Sequence, residues 1–204
     1  MIRFVVWSKR MGIIRIGCAT LKGGRVMLYM VECGFADPTR EDNWNEWYSG
    51  PKLAELLSMP GFIATQRYKA LEPCPAPYLA VHSIESPSMF TNPNYKANGG
   101  GRFGDWEPSL MTNWSRRLFG PLREMPDVPA DRLLAMTDSR GDGMPSDVIW
   151  LDGLGWDAVS EYRNALALDA SVDKRGIAVV PKSAGSAPVA GVRLYAPLTE
   201  KRRA

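Results

Sequence analysis

Apolar and polar positions recur in a regular order along the first half of the chain. Residues 27–33 form an apolar run of strand length, and residues 62–71 and 78–85 alternate as half-buried strands do. Residues 42–58 carry apolar side chains at three- and four-residue steps, which predicts a helix kinked at Gly50-Pro51. The order strand–helix–strand–strand is the start of a split βαβ, ferredoxin-like unit.

The alternation also predicts which side chains share a face of each strand. In residues 78–85 one face carries Tyr78, Ala80, His82 and Ile84. In residues 62–71 we expect the following side chains to share a face: Phe62, Ala64, Gln66, Tyr68 and Ala70.

Residues 86–114 have a different character, because glycines and prolines are interleaved with aromatic residues. A long irregular connection in a compact domain is usually functional or disordered, and the aromatic content argues against plain disorder. We therefore expect a lid over a ligand. Residues 114–119 read as a returning fourth strand, and the proline-rich residues 120–130 as a linker.

The second part of the chain, residues 131–200, repeats the element order in degenerate form, without clear sequence identity between the halves. Strands are predicted at residues 132–137, 176–181 and 189–198, with an apolar run at 148–151 and a helix at 156–168. The segment 1–26 is expected to be peripheral. Met27 is an alternative native start, since Lys22-Gly23-Gly24 can be encoded by a purine-rich run like a ribosome-binding site.

Composition narrows the class of protein. The net charge is +3 and charged residues make up 23%, so nothing calls for a nucleic-acid partner. No hydrophobic run is long enough for a membrane span, and we expect a cytoplasmic protein with no membrane partner. Its three cysteines are far apart and read as reduced thiols, and a single histidine cannot supply an ordinary zinc shell, so no metal site is predicted.

Four short motifs in residues 27–119 resemble the EthD-like family. They are N-E-W-Y at 45–48, L-L-S-M-P-G-F at 56–62, Q-R-Y at 66–68 and Y-L-A-V at 78–81. The resemblance implies an α+β fold: a ferredoxin-like α+β barrel with antiparallel sheets that pack face to face. The sheets come from two chains or from tandem halves, and we expect two degenerate tandem βαββ halves and a homodimer.

The resemblance also implies a range of activities. Related barrels include cofactor-free isomerases, cyclases, monooxygenases and decarboxylases, as well as some haem proteins, and they often act on aromatic molecules. Many relatives carry a histidine in the helix after the W-Y pair. Here that place holds Lys52, so the role of that histidine is not carried over.

His82 is the first candidate for chemistry, because a histidine can take and return a proton near neutral pH. The alternative is a buried, hydrogen-bonded structural histidine. Asp105 could orient or assist His82, and Asn113 could donate to a developing oxyanion. Lys52, Arg67 and Arg116 are options for binding an acidic group. Candidate substrate-binding aromatics, for which a plain core role is the alternative, are Trp44, Trp47, Tyr48, Tyr95, Trp106 and Trp114.

The resulting hypothesis is a catabolic enzyme for a small aromatic or cyclic molecule, for example an indole-derived one. His82 would abstract a proton without any cofactor, and oxygenation, isomerisation or loss of a group would follow. Two alternatives stay open: a non-catalytic small-molecule-binding or accessory barrel protein, and a haem-binding barrel.

Overall fold

The computed structural model describes residues 24–98, 102–140, 143–154, 168–187 and 189–204. The expectations for residues 1–23 and for a helix over residues 156–167 lie outside these ranges. Within them, no helix is long and apolar enough to cross a membrane.

The described residues form nine strands and three short α-helices. The strands are β1 (Val26–Phe35), β2 (Phe62–Ala70), β3 (Tyr78–Ile84), β4 (Met111–Leu122), β5 (Arg132–Thr137), β6 (Ile149–Asp152), β7 (Lys174–Pro181), β8 (Arg193–Pro197) and β9 (Arg202–Arg203). The helices are α1 (Glu41–Trp47), α2 (Leu53–Leu57) and α3 (Pro93–Asn98). A π-helical turn, Tyr48–Lys52, joins α1 to α2, and 3₁₀ turns cover Pro87–Thr91, Pro108–Leu110 and Lys182–Ser186.

The strands form one antiparallel sheet in the order β4-β1-β3-β2-β8-β5-β7-β6, with β9 paired to β2. The first four strands of the chain have the spatial order fourth-first-third-second. The next four, β5 to β8, have the same order. Both halves therefore have the strand arrangement of a ferredoxin-like unit. The second half has no helix between β5 and β6 in residues 138–140 and 143–148.

The sheet curls into a nearly closed α+β barrel. One seam is the pairing of β2 with β8. At the other seam Phe119 of β4 forms a bridge with Gly153, and the Leu154 N–H donates to the Leu118 carbonyl at 3.0 Å. Both sheets of the barrel come from one chain, so closure does not require a second copy.

Each face of the first half-sheet packs against a different core. Side chains such as Leu28, Leu79 and Phe119 fill the barrel interior. The opposite face carries Tyr29, Val31 and Ala80, which pack against α1, α2 and the 86–114 segment. We call this outer core the helix–sheet layer.

Three local expectations need correction. Phe62 lies in the helix–sheet layer, not with Gln66 and Tyr68, because the register of β2 against β3 shifts between Phe62 and Ala64. Residues 120–130 are not a free linker: the Val128 carbonyl accepts a 2.7 Å hydrogen bond from Gln66 Nε2, and Val128 is fully buried. The 86–114 segment also contains ordered turns, and its last residues belong to β4.

Candidate functional site

His82 lies at the centre of the helix–sheet layer. On β3 it stands opposite Tyr29 of β1 and Thr65 of β2, and its side chain is 1% exposed. The Thr65 hydroxyl and His82 Nδ1 are 2.8 Å apart and hydrogen bonded. Within the described part of the chain, the other ring nitrogen, Nε2, has no hydrogen-bond partner. One nitrogen is therefore oriented by the sheet and the other remains available.

Aromatic rings surround the imidazole. The ring centroids of Tyr29 and Phe62 lie 5.5 and 5.6 Å from that of His82. Tyr95, from α3, brings its hydroxyl to 3.4 Å from the Tyr29 hydroxyl. The 86–114 segment thus contributes directly to the environment of His82.

The imidazole is kept neutral. Burial, together with the positive charges of Arg67 and Lys52, lowers the pKa of His82 to about 3. At neutral pH the ring is a hydrogen-bond donor and acceptor without charge. In this closed arrangement it is a weak base, because its conjugate acid is strongly disfavoured.

A small cavity of about 30 Å³ lies next to His82. This volume holds one or two water molecules. Its lining is mostly aromatic with two cations: Tyr29, Val31, Trp47, Tyr48, Lys52, Leu56, His82, Tyr95, Arg102, Phe103 and Trp114.

A larger cavity of about 460 Å³ lies outside the small one. Four residues line both cavities: Trp47, Lys52, Arg102 and Phe103. The outer cavity has the size of an ordinary small-molecule site. The shared side chains form the boundary between the two cavities.

Lys52 is placed at this boundary by the π-helical turn. It is only 7% exposed, in contrast to the surface lysine that its sequence context favours. Its Nζ donates to Glu55 Oε2 at 2.8 Å and to the Asn98 carbonyl at 3.1 Å. These bonds join the α1–α2 segment to the end of α3 beside both cavities.

The structure brings together some of the sequence candidates. Trp47, Tyr48, Tyr95 and Trp114 all line the small cavity with His82. Trp44 does not; it is a fully buried core residue stacked on Phe35 with centroids 4.9 Å apart.

Asp105, Asn113 and Trp106 also lie outside the cavity lining. Asp105 is exposed, so a role beside His82 is not supported. Asn113 is exposed, has a φ of 47° and donates its side-chain amide to the Pro75 carbonyl at 2.8 Å, which is a role in loop packing. Trp106 packs against Phe35 and under the Arg40 guanidinium.

Sequence reasoning did not nominate Thr65, Tyr29, Arg102 or Phe103. Thr65 and Tyr29 could have been found by extending the face of His82 to the neighbouring strands once the register was known. Arg102 and Phe103 belong to the irregular segment, where no periodicity predicts side-chain direction.

A second polar cluster closes one end of the barrel interior. Glu32 accepts hydrogen bonds from three arginines: Arg175 at 2.6 Å, Arg193 at 2.8 Å and Arg117 at 3.2 Å. Asp138 pairs with Arg175 and Arg193, and Asp169 pairs with Arg117. Three cations face three carboxylates, so this cluster is internally balanced.

No group of three or more His, Cys, Asp or Glu residues able to hold a metal occurs in the described ranges.

Comparison with known proteins gives matches among solved structures but not among families or curated proteins. No family model matches, and no curated protein matches. Among solved structures, an anthrone oxidase-like protein has 12% sequence identity and a TM-score of 0.48, covering 91% of this chain and 95% of its own. A chlorite dismutase-like protein has 8% identity and a TM-score of 0.47, covering 86% and 95%. Neither description names an EthD-like protein, so that resemblance stays a prediction, and no activity follows from these matches.

Proposed function

We propose that the protein is an enzyme that acts on a small aromatic molecule by proton transfer at His82, without a metal, flavin or nicotinamide cofactor. The observation that supports this proposal is the setting of the His82 ring. Its Nδ1 is hydrogen bonded to Thr65 Oγ1, and His82 lines a cavity of mostly aromatic side chains. A titratable group with a strongly shifted pKa in a cleft is a recognised mark of a functional site.

The chemistry requires one tautomer of His82. When Thr65 Oγ1 accepts the hydrogen bond from Nδ1–H, Nε2 carries the lone pair and is the proton acceptor. A substrate C–H beside the ring would transfer its proton to Nε2 and leave a carbanion delocalised over the aromatic system. Oxygenation by O₂, isomerisation or loss of a group then completes the reaction.

The low pKa of His82 sets a condition on this reaction. The imidazole is a useful base only when the bound substrate offsets the effect of burial and of Arg67 and Lys52. A negative charge that develops on the substrate does this, because it stabilises the imidazolium.

Proton abstraction can be tested without knowing the final product. Oxindole is a bicyclic probe with acidic C3 protons, and exchange of these protons for deuterium in ²H₂O is followed by proton NMR. Metal-depleted wild-type protein should accelerate the exchange over buffer. His82→Gln should lower the enzymatic rate by about 100-fold or more, the usual contribution of a general base.

Two threonine variants test the role of Thr65. Thr65→Val removes the partner of Nδ1, and we expect about a 10-fold loss of exchange rate because the ring loses its orientation and tautomer preference. Thr137→Val is the matched control, since Thr137 is also buried but lies on β5 in the second half. Full activity in a normally folded His82→Gln protein would refute the base assignment.

A binding protein without catalysis is the second candidate. The low pKa of His82 and the inner cavity of only about 30 Å³ favour it, because both describe a ring that is packed rather than accessible. Binding of oxindole without any exchange would identify this function. A cavity of that volume holds neither an aromatic substrate nor a porphyrin, so a haem ligated by His82 would also need the boundary with the outer cavity to open.

A further inference from the structure

The helix–sheet layer around His82 contains an excess of positive charge. Lys52, Arg67 and Arg116 all contribute to it. Lys52 has a carboxylate partner in Glu55. Neither arginine has one among the described residues. Burying cations without counter-charges is costly, and proteins seldom do so without a purpose.

The two arginines differ in how many of their side-chain N–H groups have a hydrogen-bond acceptor. Arg67 donates to the Asn45 carbonyl, to Asn45 Oδ1 and to Ser49 Oγ at 2.7–3.0 Å, and it lies 4.2 Å from the ring centroid of Tyr48. These contacts account for Arg67 as a structural residue of the α1–sheet packing.

Arg116 is not satisfied in this way. The side chain is half-buried, and its Nε and Nη1 atoms are buried and have no hydrogen-bond partner in the described part of the structure. The backbone N–H of Asp169 donates to the Arg116 carbonyl at 2.7 Å, but the Asp169 carboxylate pairs with Arg117. The adjacent carboxylate is thus not available to the Arg116 guanidinium.

Arg116 does not line either cavity itself, but residues next to it do. Arg116 on β4 is paired with Val31 of β1, and its Cζ lies 5.6 Å from the ring centroid of Trp114; both neighbours line the small cavity. Its charge also acts on the tyrosines: burial raises the pKa of Tyr29 and Tyr95, and Arg116 opposes that rise in both, for Tyr29 through a side-chain hydrogen bond as well.

We infer that Arg116 is the anion-binding residue of this site and that the ligand is an aromatic molecule carrying a carboxylate or an equivalent oxyanion. The inference rests on the proposed function only in that both use the same aromatic cavity. A carboxylate of the ligand supplies the acceptors that Nε and Nη1 lack, and a guanidinium binds such a group with paired hydrogen bonds.

The test uses two probes of the same shape and different charge, 2-naphthoate and neutral 2-naphthamide, with affinities measured by isothermal titration calorimetry. Wild-type protein should bind the carboxylate about 10-fold or more tightly than the amide, as one charge-assisted contact predicts. Arg116→Met should abolish this preference and leave amide binding within about twofold of wild type. Arg116→Lys should retain much of the preference. Arg132→Gln, at an exposed arginine on β5, should change nothing.

Stability provides a second test, because a binding role and a structural role of Arg116 predict opposite changes in the urea midpoint. Because Arg116→Met removes buried donors without partners, the urea midpoint of this variant without ligand should be higher than that of wild type. If Arg116 has a structural role instead, the midpoint of the variant should be lower. Equal affinity of wild type for both probes, or equal loss of both in Arg116→Met, would overturn the anion site and leave the aromatic cavity standing. If neither probe binds wild type, both the anion site and the proposed aromatic site are wrong.

Discussion

His82 combines full burial with one oriented ring nitrogen, and this has a measurable consequence for stability. Its pKa is lowered from 6.5 to about 3, so the unfolded chain binds a proton more readily than the folded protein between these values. The folded state is therefore stabilised by His82 being neutral, and this advantage is lost as the pH falls below about 6.5.

We predict that wild-type protein loses about 2 kcal/mol more unfolding free energy than His82→Gln between pH 7 and pH 5. Glutamine does not titrate, whereas the carboxylates titrate alike in both proteins and cancel. Urea unfolding at the two pH values measures the difference. Identical pH dependence of the two proteins would mean that His82 is solvated enough to be protonated in the folded state.

At the residue scale, alternation in β3 was sufficient to predict the face of His82, and the structure has that face as expected. The same reasoning was wrong for Phe62, because a register irregularity at the start of β2 changes the alternation. Burial of Lys52 was not predictable either, since a π-helical turn displaces side chains from the 3.6-residue period.

The elements of the sheet are joined by the balanced ion cluster around Glu32. The cluster connects β1 with β4, β7 and β8, and so links the two halves across the barrel interior. Burial acts to raise the pKa of Glu32, but Arg175 and Arg193 outweigh it and leave the pKa below its usual value. Glu32 therefore stabilises the fold above its unfolded pKa, and this contribution is lost as the pH falls.

We predict that Glu32→Gln lowers the unfolding free energy at pH 7 by about 3–5 kcal/mol, because it leaves the fully buried Arg175 short of a counter-charge. The change should be measured by urea unfolding. Glu85→Gln, at an exposed glutamate just after β3, is the control and should cost less than about 0.5 kcal/mol. The deficit of Glu32→Gln should shrink in acid; a deficit independent of pH would point to packing, not charge.

The local pattern predicted most strands of both halves, because each of these segments shows either alternation or a short apolar run. The Pro-rich residues 120–130 were misinterpreted for a related reason. Proline content predicts an extended chain but not whether that chain is buried, and here Met125 and Val128 complete the barrel core.

At the scale of the whole molecule, the order of elements was sufficient to predict two ferredoxin-like strand arrangements. It was not sufficient to predict which edges meet. The β2–β8 and β4–β6 contacts join residues far apart in sequence, and no local pattern encodes such pairings. These contacts nevertheless determine that the barrel closes within a single chain.

Closure at the β4–β6 seam depends on one glycine. A Cβ at Gly153 would lie 2.0 Å from the Val172 carbonyl oxygen, a backbone atom that cannot turn aside. Gly153 also donates to the Asp173 carbonyl at 2.7 Å while the next residue bonds to β4. Any side chain at this position must therefore push β6 away from the segment before β7 and weaken its contact with β4.

We expect Gly153→Ala to lower the unfolding free energy by about 3 kcal/mol, the upper range for overpacking, and to accelerate amide exchange at Leu154, whose N–H bonds to Leu118 across the seam. Gly50→Ala is the control, because a Cβ there meets no atom within 4 Å, and it should stay within about 1 kcal/mol of wild type. Slow exchange at Leu154 in a destabilised Gly153→Ala protein would show that the seam holds without this glycine.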